Sequence, residues 1–275
     1  MNYYNINVKV NSSKKPNFFI GSTLRGTFGH FLKDSVCVSS AFDCQNCLYK
    51  EECIYYDYYE SSVGYRSFRF DTKMKAESYD FSLYLFSNNV KEIRMILSSL
   101  HRMLNTSTIT DQKLSFSKHE ISLNGRKLLF DDKDVLQPFL DTPLTLTLEK
   151  CYKDISINIF TPLLIKDPES KFKKEIVLED VLTSIYKRKC YFEKQETVHK
   201  LDYIPNYTLI TSELKIVKSQ RRSDRQGKYI PIEGVTGTLI VMGLDEKSFM
   251  LLKWGEILAV GNKTVQGQGI IKIKY

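Results

Sequence analysis

Four cysteines fall within seventeen residues: Cys37, Cys44, Cys47 and Cys53, spaced C-x6-C-x2-C-x5-C. The two residues between Cys44 and Cys47 let both thiolates reach one tetrahedral Zn²⁺, and Cys37 with Cys53 would complete a closed four-sulfur shell. Such a site has no open position, so its work would be structural. Reduced free thiols and an iron–sulfur cluster are the alternatives that the spacing leaves open. Cys151 and Cys190 stand alone and read as core.

A second chemistry is offered by His30. An imidazole titrates near neutral pH and can act as general base or acid. At 100° per residue His30 points away from the apolar stripe Leu24, Phe28, Phe31 and Leu32, near Gly26 and Lys33. Gly26 and Gly29 flank it and would let another backbone come close. Arg25 and Lys33 are near enough along the helix to lend charge. His101 and His119 read as ordinary structural histidines, and His199, in a polar connection, is a weaker catalytic candidate.

The third feature is a basic segment followed by a glycine loop. Lys215–Lys228 holds six cations against one acid, Asp224, with Ser223, Gln220 and Gln226 interleaved. Such residues suit phosphate and base-edge hydrogen bonds. Lys187-Arg188-Lys189 is a second cluster, placed where it could also cap a helix dipole. The loop Gly261–Gly269 fits neither G-x-x-x-x-G-K-[ST] nor G-x-G-x-x-G. With Lys263, Gln266 and Gln268 interleaved, it can present backbone N–H groups to phosphates.

These residues need a scaffold, and the periodicity predicts one. Tyr4–Val10 alternates as a half-buried strand, Gly21–Lys33 is a helix, and Tyr79–Phe86 alternates again. Val90, Ile93, Leu97, Leu100 and Leu104 share a helical face, and Ser115–Phe130 reads as a hairpin turning at Asn124-Gly125. Pro143–Glu149 and Ile155–Ile159 follow as strands, then a helix marked by Leu178, Val181, Leu182 and Ile185. Leu209–Val217 and Thr236–Met242 are strands, Asp245 caps a helix running to Lys253 with Gly255 as its stop, and Ile270–Lys274 closes the set. A twice-repeated βαββαβ pattern makes the chain α+β, with two tandem ferredoxin-like (RRM-like) domains. The expected division is residues 1–140, with the cysteine-rich insertion at 35–56 after the first helix, and residues 141–275, with the glycine loop at 261–269.

Composition narrows the function. Net charge is +8 over 275 residues, 40 Lys and Arg against 32 Asp and Glu. Residues 151–275 carry +6 of it, as a surface that neutralises phosphates would. Seventeen Tyr and sixteen Phe add faces on which unpaired bases stack, although most must be core. No run of 18 apolar residues crosses a membrane, and the N-terminus has neither the basic head nor the apolar stretch of a signal peptide. A cytoplasmic location is expected, where disulfides are disfavoured and clustered cysteines more often bind metal.

Taken together these pieces resemble the CRISPR-associated RAMP-superfamily endoribonucleases that cut precursor CRISPR RNA within its repeats, in particular the subfamily with a cysteine-rich insertion. Gly21-Ser-Thr-Leu-Arg-Gly-Thr-Phe-Gly29 resembles the family's first-helix motif, and Cys37–Cys53 with Tyr55 and Tyr56 its cysteine block. Phe160–Lys166 looks like the strand opening its second domain. Arg222–Gln226, Gly234, Gly237, Trp254-Gly255, Val260-Gly261 and Gly267-Gln-Gly269 resemble its C-terminal signature.

The resemblance implies cleavage without a catalytic metal, leaving a 2′,3′-cyclic phosphate and a 5′-hydroxyl. It implies CRISPR repeat RNA as partner, with further effector subunits as companions, and His30 as base with Lys33 and Arg25 beside it. Arg222, Ser223, Arg225, Gln226, Lys263, Gly267, Gln268 and Gly269 would hold RNA. The cysteine spacing, for its part, makes Cys37, Cys44, Cys47 and Cys53 the expected holders of structural Zn. The same fold also serves a non-cleaving RAMP subunit that binds guide RNA. A zinc-stapled interaction scaffold without RNA is the third reading.

Overall fold

Apolar residues at every second position build the first strand, β1 (Asn2–Val10), whose Tyr4, Ile6, Val8 and Val10 are buried. The computed structural model describes the chain except residues 39–42, 63, 87–91, 107–115, 117, 149, 168, 195 and 224–227; residues 221–223 and 228–229 are described by backbone alone. The chain divides into two units, Met1–Thr145 and Leu146–Tyr275.

In the first unit β1 is followed by α1 (Gly21–Val36), β2 (Phe68–Asp71), β3 (Phe81–Phe86), α2 (Ile93–Thr106) and β4 (His119–Leu123). Two short strands follow, β5 (Arg126–Lys127) and β6 (Leu144–Thr145). The antiparallel sheet runs β2-β3-β1-β4-β5, with β6 on β1. Its first four strands have the ferredoxin-like order, with both crossover helices joining non-adjacent strands. Helix α1 buries Leu24, Phe28 and Leu32, with Gly21 and Gly29 in the same stripe. Phe31, predicted in that stripe, is only half-buried; one hundred degrees per residue turns it to the edge, where the Arg102 guanidinium lies 5.4 Å from its ring. The turn at Asn124-Gly125 has positive φ at both residues, 51° and 81°, as a tight hairpin requires.

The second unit is β7 (Ile155–Leu163), α3 (Leu178–Lys194), β8 (Thr208–Ser223), β9 (Lys228–Met242), α4 (Glu246–Leu258) and β10 (Ile271–Lys274). Its sheet order, β10-β7-β9-β8, all antiparallel, is again ferredoxin-like. Asp245 caps α4 as expected, accepting from the Ser248 N–H at 2.8 Å.

Three sequence expectations change. The strand predicted over 143–149 is confined to Leu144–Thr145 and pairs with Tyr3 and Asn2 of the first sheet, so it completes the first unit. Gly255 does not stop α4. It lies inside the helix, where a Cβ would come within 2.5 Å of Ile185 Cδ1, so it sets how closely α4 packs on α3. The ribbon β8–β9 is longer than its apolar alternation suggested, because its outer half is held by backbone pairing from Lys215↔Thr236 to Ser223↔Lys228.

Candidate functional site

Helix α1 presents His30 to solvent, as its angle predicted, with the Phe31 ring edge-on to it at 5.6 Å. The two cations expected beside it go elsewhere. Arg25 lies with its guanidinium 4.7 Å from the centre of Tyr59, Tyr59 stacks on Tyr55 at 5.1 Å, and Lys33 lies 5.2 Å from Tyr55. The Tyr59 hydroxyl donates to the Arg25 carbonyl at 2.7 Å. The result is a cation–tyrosine ladder that clamps the segment after the cysteines onto α1. This corrects the expectation that Arg25 and Lys33 lend charge to His30: around the helix Arg25 lies about 140° and Lys33 about 60° from it, toward the tyrosines.

Gly29 is explained by the same ladder. A Cβ there would meet Tyr59 Cε1 at 2.5 Å, so the close approach foreseen at this glycine is made by a ring, not by backbone. At Gly26 a Cβ would meet nothing within 4 Å. Burial, followed by the neighbouring Glu60 carboxylate, pushes the Tyr55 phenol up to about 12, so it stays protonated and donates to Glu60 Oε1 at 3.2 Å.

All four clustered cysteines line one cavity of about 500 Å³, together with Asp43, Lys50, Tyr55 and Tyr56. Among the described residues no three His, Cys, Asp or Glu side chains are gathered tightly enough to hold one ion.

A second cluster was not foreseen. His101, buried on α2, and His119, at the start of β4, meet with Nδ1 and Nε2 2.9 Å apart. His101 Nε2 lies 2.9 Å from Asp134 Oδ1, Asn105 Nδ2 donates to the same oxygen at 3.3 Å, and Phe130 stacks on the His101 ring at 3.7 Å. These residues line a cavity of about 290 Å³.

The tautomers follow from the partners. The Phe116 carbonyl, 2.7 Å from His119 Nδ1, can only accept, so Nδ1 donates. His119 Nε2 then accepts from His101 Nδ1, and His101 Nε2 faces Asp134 Oδ1 and the Asn105 amide, whose Nδ2 lies 3.1 Å away. Eighteen residues separate the histidines, and no periodicity links a helix position to a strand position in that way. The one signal present was that His101 falls on the buried face with Leu97, Leu100 and Leu104.

This relay makes a pH prediction. Burial holds His119 below the usual imidazole range, opposed by the Phe116 hydrogen bond. A base whose folded value is depressed stabilises the fold fully above its unfolded pKa of about 6.5 and loses that contribution as pH falls toward the folded value. A proton added at Nε2 would also face the His101 N–H donor. The thermal-midpoint advantage of the wild type over His119→Gln should therefore shrink between about pH 7 and pH 5. An advantage that stays constant over that range contradicts the assignment.

In the second unit the glycine loop is knotted onto the sheet. The N–H groups of Gly261, Asn262, Gly267, Gly269 and Ile270 are spent on Ser184 Oγ, Leu164 O, Thr264 O, Pro162 O and Thr161 Oγ1. A Cβ at Gly269 would meet Val260 O at 1.8 Å, and one at Gly261 would meet Leu164 O at 2.5 Å. Gln268 is fully buried, and Gly267 and Gly269 are buried with it. The expectation that Gly267, Gln268 and Gly269 face RNA is thus corrected: these residues fit because the backbone must pass close behind β7.

Lys263 is half-buried on a left-handed turn of the same loop. Arg188, from the Lys187-Arg188-Lys189 run, is buried and donates to the carbonyls of Leu258, Ala259 and Gly261 at 3.1, 2.7 and 2.7 Å. It caps α4 and anchors the loop rather than serving its own helix.

Surface charge sits on the strands. Lys215, Lys218 and Gln220 are exposed on β8. Arg222 and Ser223 stand on the same strand, in register with Tyr229 and Lys228; Arg225 and Gln226 lie outside the described residues. The face of the sheet opposite the helices was missed by sequence reasoning. There Phe160 is 51% exposed, and exposed Lys272 and Lys274 stand in register with Asn158 and Ser156. Period-two alternation was the available signal: Ile155, Ile157 and Ile159 point inward, so Ser156, Asn158 and Phe160 point out. His199 lies in the connection after α3, outside any helix or strand.

Two tandem ferredoxin-like units, the second with a long cationic ribbon, define a Cas6-type fold. Solved Cas6 structures match the chain end to end. A Cas6 product complex has a TM-score of 0.55 at 12% identity, covering 100% of both chains. A Thermus thermophilus Cas6 gives 0.51 at 10% identity over 99% of this chain and 98% of its own. A second Cas6 product complex gives 0.54 at 12% over 99% and 100%. At these identities the likeness establishes the fold. The family AF_1859_N, described as an N-terminal domain, matches residues 1–138, half of the chain. The chain belongs to that family. No curated protein matches its sequence. Among the described residues no helix is long and apolar enough to cross a membrane.

Proposed function

We propose that this chain binds CRISPR repeat RNA and cuts precursor CRISPR RNA within the repeats. The observation that carries the reading is the end-to-end match of both ferredoxin-like units to Cas6 structures that include product complexes. The chemistry asked of the protein is modest. The RNA supplies its own nucleophile, the 2′-hydroxyl next to the scissile phosphate. The protein must hold sugar, phosphorus and leaving oxygen in line, remove one proton and return one. His30, exposed on α1, is the base in this reading. The products are a 2′,3′-cyclic phosphate and a 5′-hydroxyl, and no catalytic metal takes part. The cations of β8 and β10, with Lys263, supply the phosphate contacts, so affinity should fall steeply with salt.

The test is incubation with repeat-containing RNA, with and without added Mg²⁺, followed by mapping of the ends. Equal rates in both buffers and cyclic-phosphate ends are expected.

A second reading is a non-cleaving RAMP subunit that carries guide RNA alongside other effector subunits. It is favoured by one observation: Arg25 and Lys33 are engaged by tyrosines and leave His30 without them. Tight binding of repeat RNA with no cut in either buffer selects this reading. Failure to bind RNA at low salt overturns both.

A further inference from the structure

The outer face of the second sheet carries more than charge. Ile157, Ile159, Leu239 and Ile271 are buried on the inner face. On the outer face the pairing register builds two rows across three strands, Lys272–Asn158–Thr238 and Lys274–Ser156–Ile240. Phe160 stands two residues beyond Asn158 along β7, about 7 Å from the first row, and its ring is exposed.

Each part of this face has a group to meet on an unpaired nucleotide. Lys272 and Lys274 are about 7 Å apart along β10, the step between successive phosphates of an extended RNA strand. Lys247 and Lys253 are tied to Asp202 and Glu256, whereas Lys272 and Lys274 have no carboxylate partner among the described residues. Glu213 and Lys215, opposite Thr238 and Thr236 on β8, offset each other, so the positive charge of the face lies along β10. The Thr238 hydroxyl donates to Asn158 Oδ1 at 3.2 Å, and Asn158 Nδ2 reaches Ser156 Oγ at 3.5 Å. The amide is thereby oriented with one N–H still to offer to a base edge. Phe160 supplies the π-face on which a splayed base stacks. A duplex cannot use such a ring, because its bases are already stacked on one another. A protein interface needs a contiguous apolar centre, but Phe160 stands about 14 Å from Ile240, with Asn158 and Ser156 between.

We infer that a single-stranded stretch of RNA lies across this outer face. One base stacks on Phe160 with the Asn158 amide beside its edge, and successive phosphates sit on Lys272 and Lys274. The inference rests on the reading of the chain as an RNA binder and adds the form of RNA that the second unit takes: unpaired strand rather than duplex.

The test is fluorescence anisotropy with the full chain, a labelled single-stranded repeat RNA and the same RNA annealed to its complement. Phe160→Ala and Phe160→Leu should each weaken single-strand binding by about 5- to 100-fold, while Phe160→Tyr stays within about twofold of the wild type. Binding of the duplex should not change in any of them. Lys272→Ala and Lys274→Ala should each flatten the dependence of log Kd on log salt by about 0.7, and Phe160→Leu should leave that slope alone. Should Phe160→Ala fail to fold, Phe160→Leu, close to it in bulk to the native ring, decides. Variants at Phe160 that bind single strand as the wild type does would assign the exposed ring to a protein contact and overturn the inference. Equal losses on single strand and duplex overturn it too, since stacking is then not the cause. Wild-type chain that binds no RNA at low salt defeats the underlying reading, whereas wild-type binding matched by the Phe160 variants defeats this inference alone.

Discussion

His30→Ala is expected to slow cleavage of a cognate repeat RNA by about 10²- to 10⁴-fold, the range a positioned general base contributes. RNA affinity should change little, since one exposed imidazole adds little to an interface held by many phosphate contacts. The structure sharpens this expectation in two ways. His30 is exposed on α1, edge-on to the Phe31 ring, so its removal disturbs no core. Any loss of rate is then chemical rather than a consequence of unfolding. Arg25 and Lys33, engaged with Tyr59 and Tyr55, should behave differently. Their alanine variants lower thermal stability along with activity, because each removes a rung of the ladder that packs the tyrosines on α1. Single-turnover rates at saturating protein, measured with thermal midpoints, separate the two classes. Wild-type rate in His30→Ala would remove the base from this position and leave the fold assignment untouched.

The largest stability loss should come from Arg188. It is buried, and its guanidinium satisfies three carbonyls at the end of α4 and the start of the glycine loop. Those carbonyls have no helical partner of their own. Hydrogen bonds from a charged group are worth about 1.5–3 kcal/mol each, without full additivity. Arg188→Met keeps the side-chain bulk and strands the acceptors, so the second unit should lose about 3–5 kcal/mol.

The molecule carries its own probe for this. The single tryptophan, Trp254, is buried on α4 within the same unit, so its fluorescence during urea unfolding follows that unit. Lys187→Ala, next door on the partly exposed side of α3, should shift the transition by less than about 0.5 kcal/mol. Equal shifts for the two variants would refute the anchoring role.

Local pattern determined a good deal. Alternation in β1 and β7 reflects a sheet with one face buried, and the Asn124-Gly125 turn reflects two residues that tolerate positive φ. Twofold βαββαβ order followed from these elements because the periodicities of strand and helix are local properties of the chain. The exposure of His30 followed as well, since one angle around a helix is set by its own turn.

Tertiary structure alone decided which groups meet. Nothing in the spacing of Gly261–Gly269 distinguishes a phosphate cradle from a loop pressed against β7; only the spent N–H groups and the 1.8 Å that a Cβ at Gly269 would have from Val260 O do so. Arg188 read as one of three clustered cations that could meet phosphates or cap a helix dipole; that it serves the end of α4 is set by where α4 packs. His101 and His119 looked unrelated because a hydrogen bond between a helix and a strand leaves no period to read. Conformational preferences act over a few residues and are written in sequence order, whereas partnership depends on where distant segments come to lie.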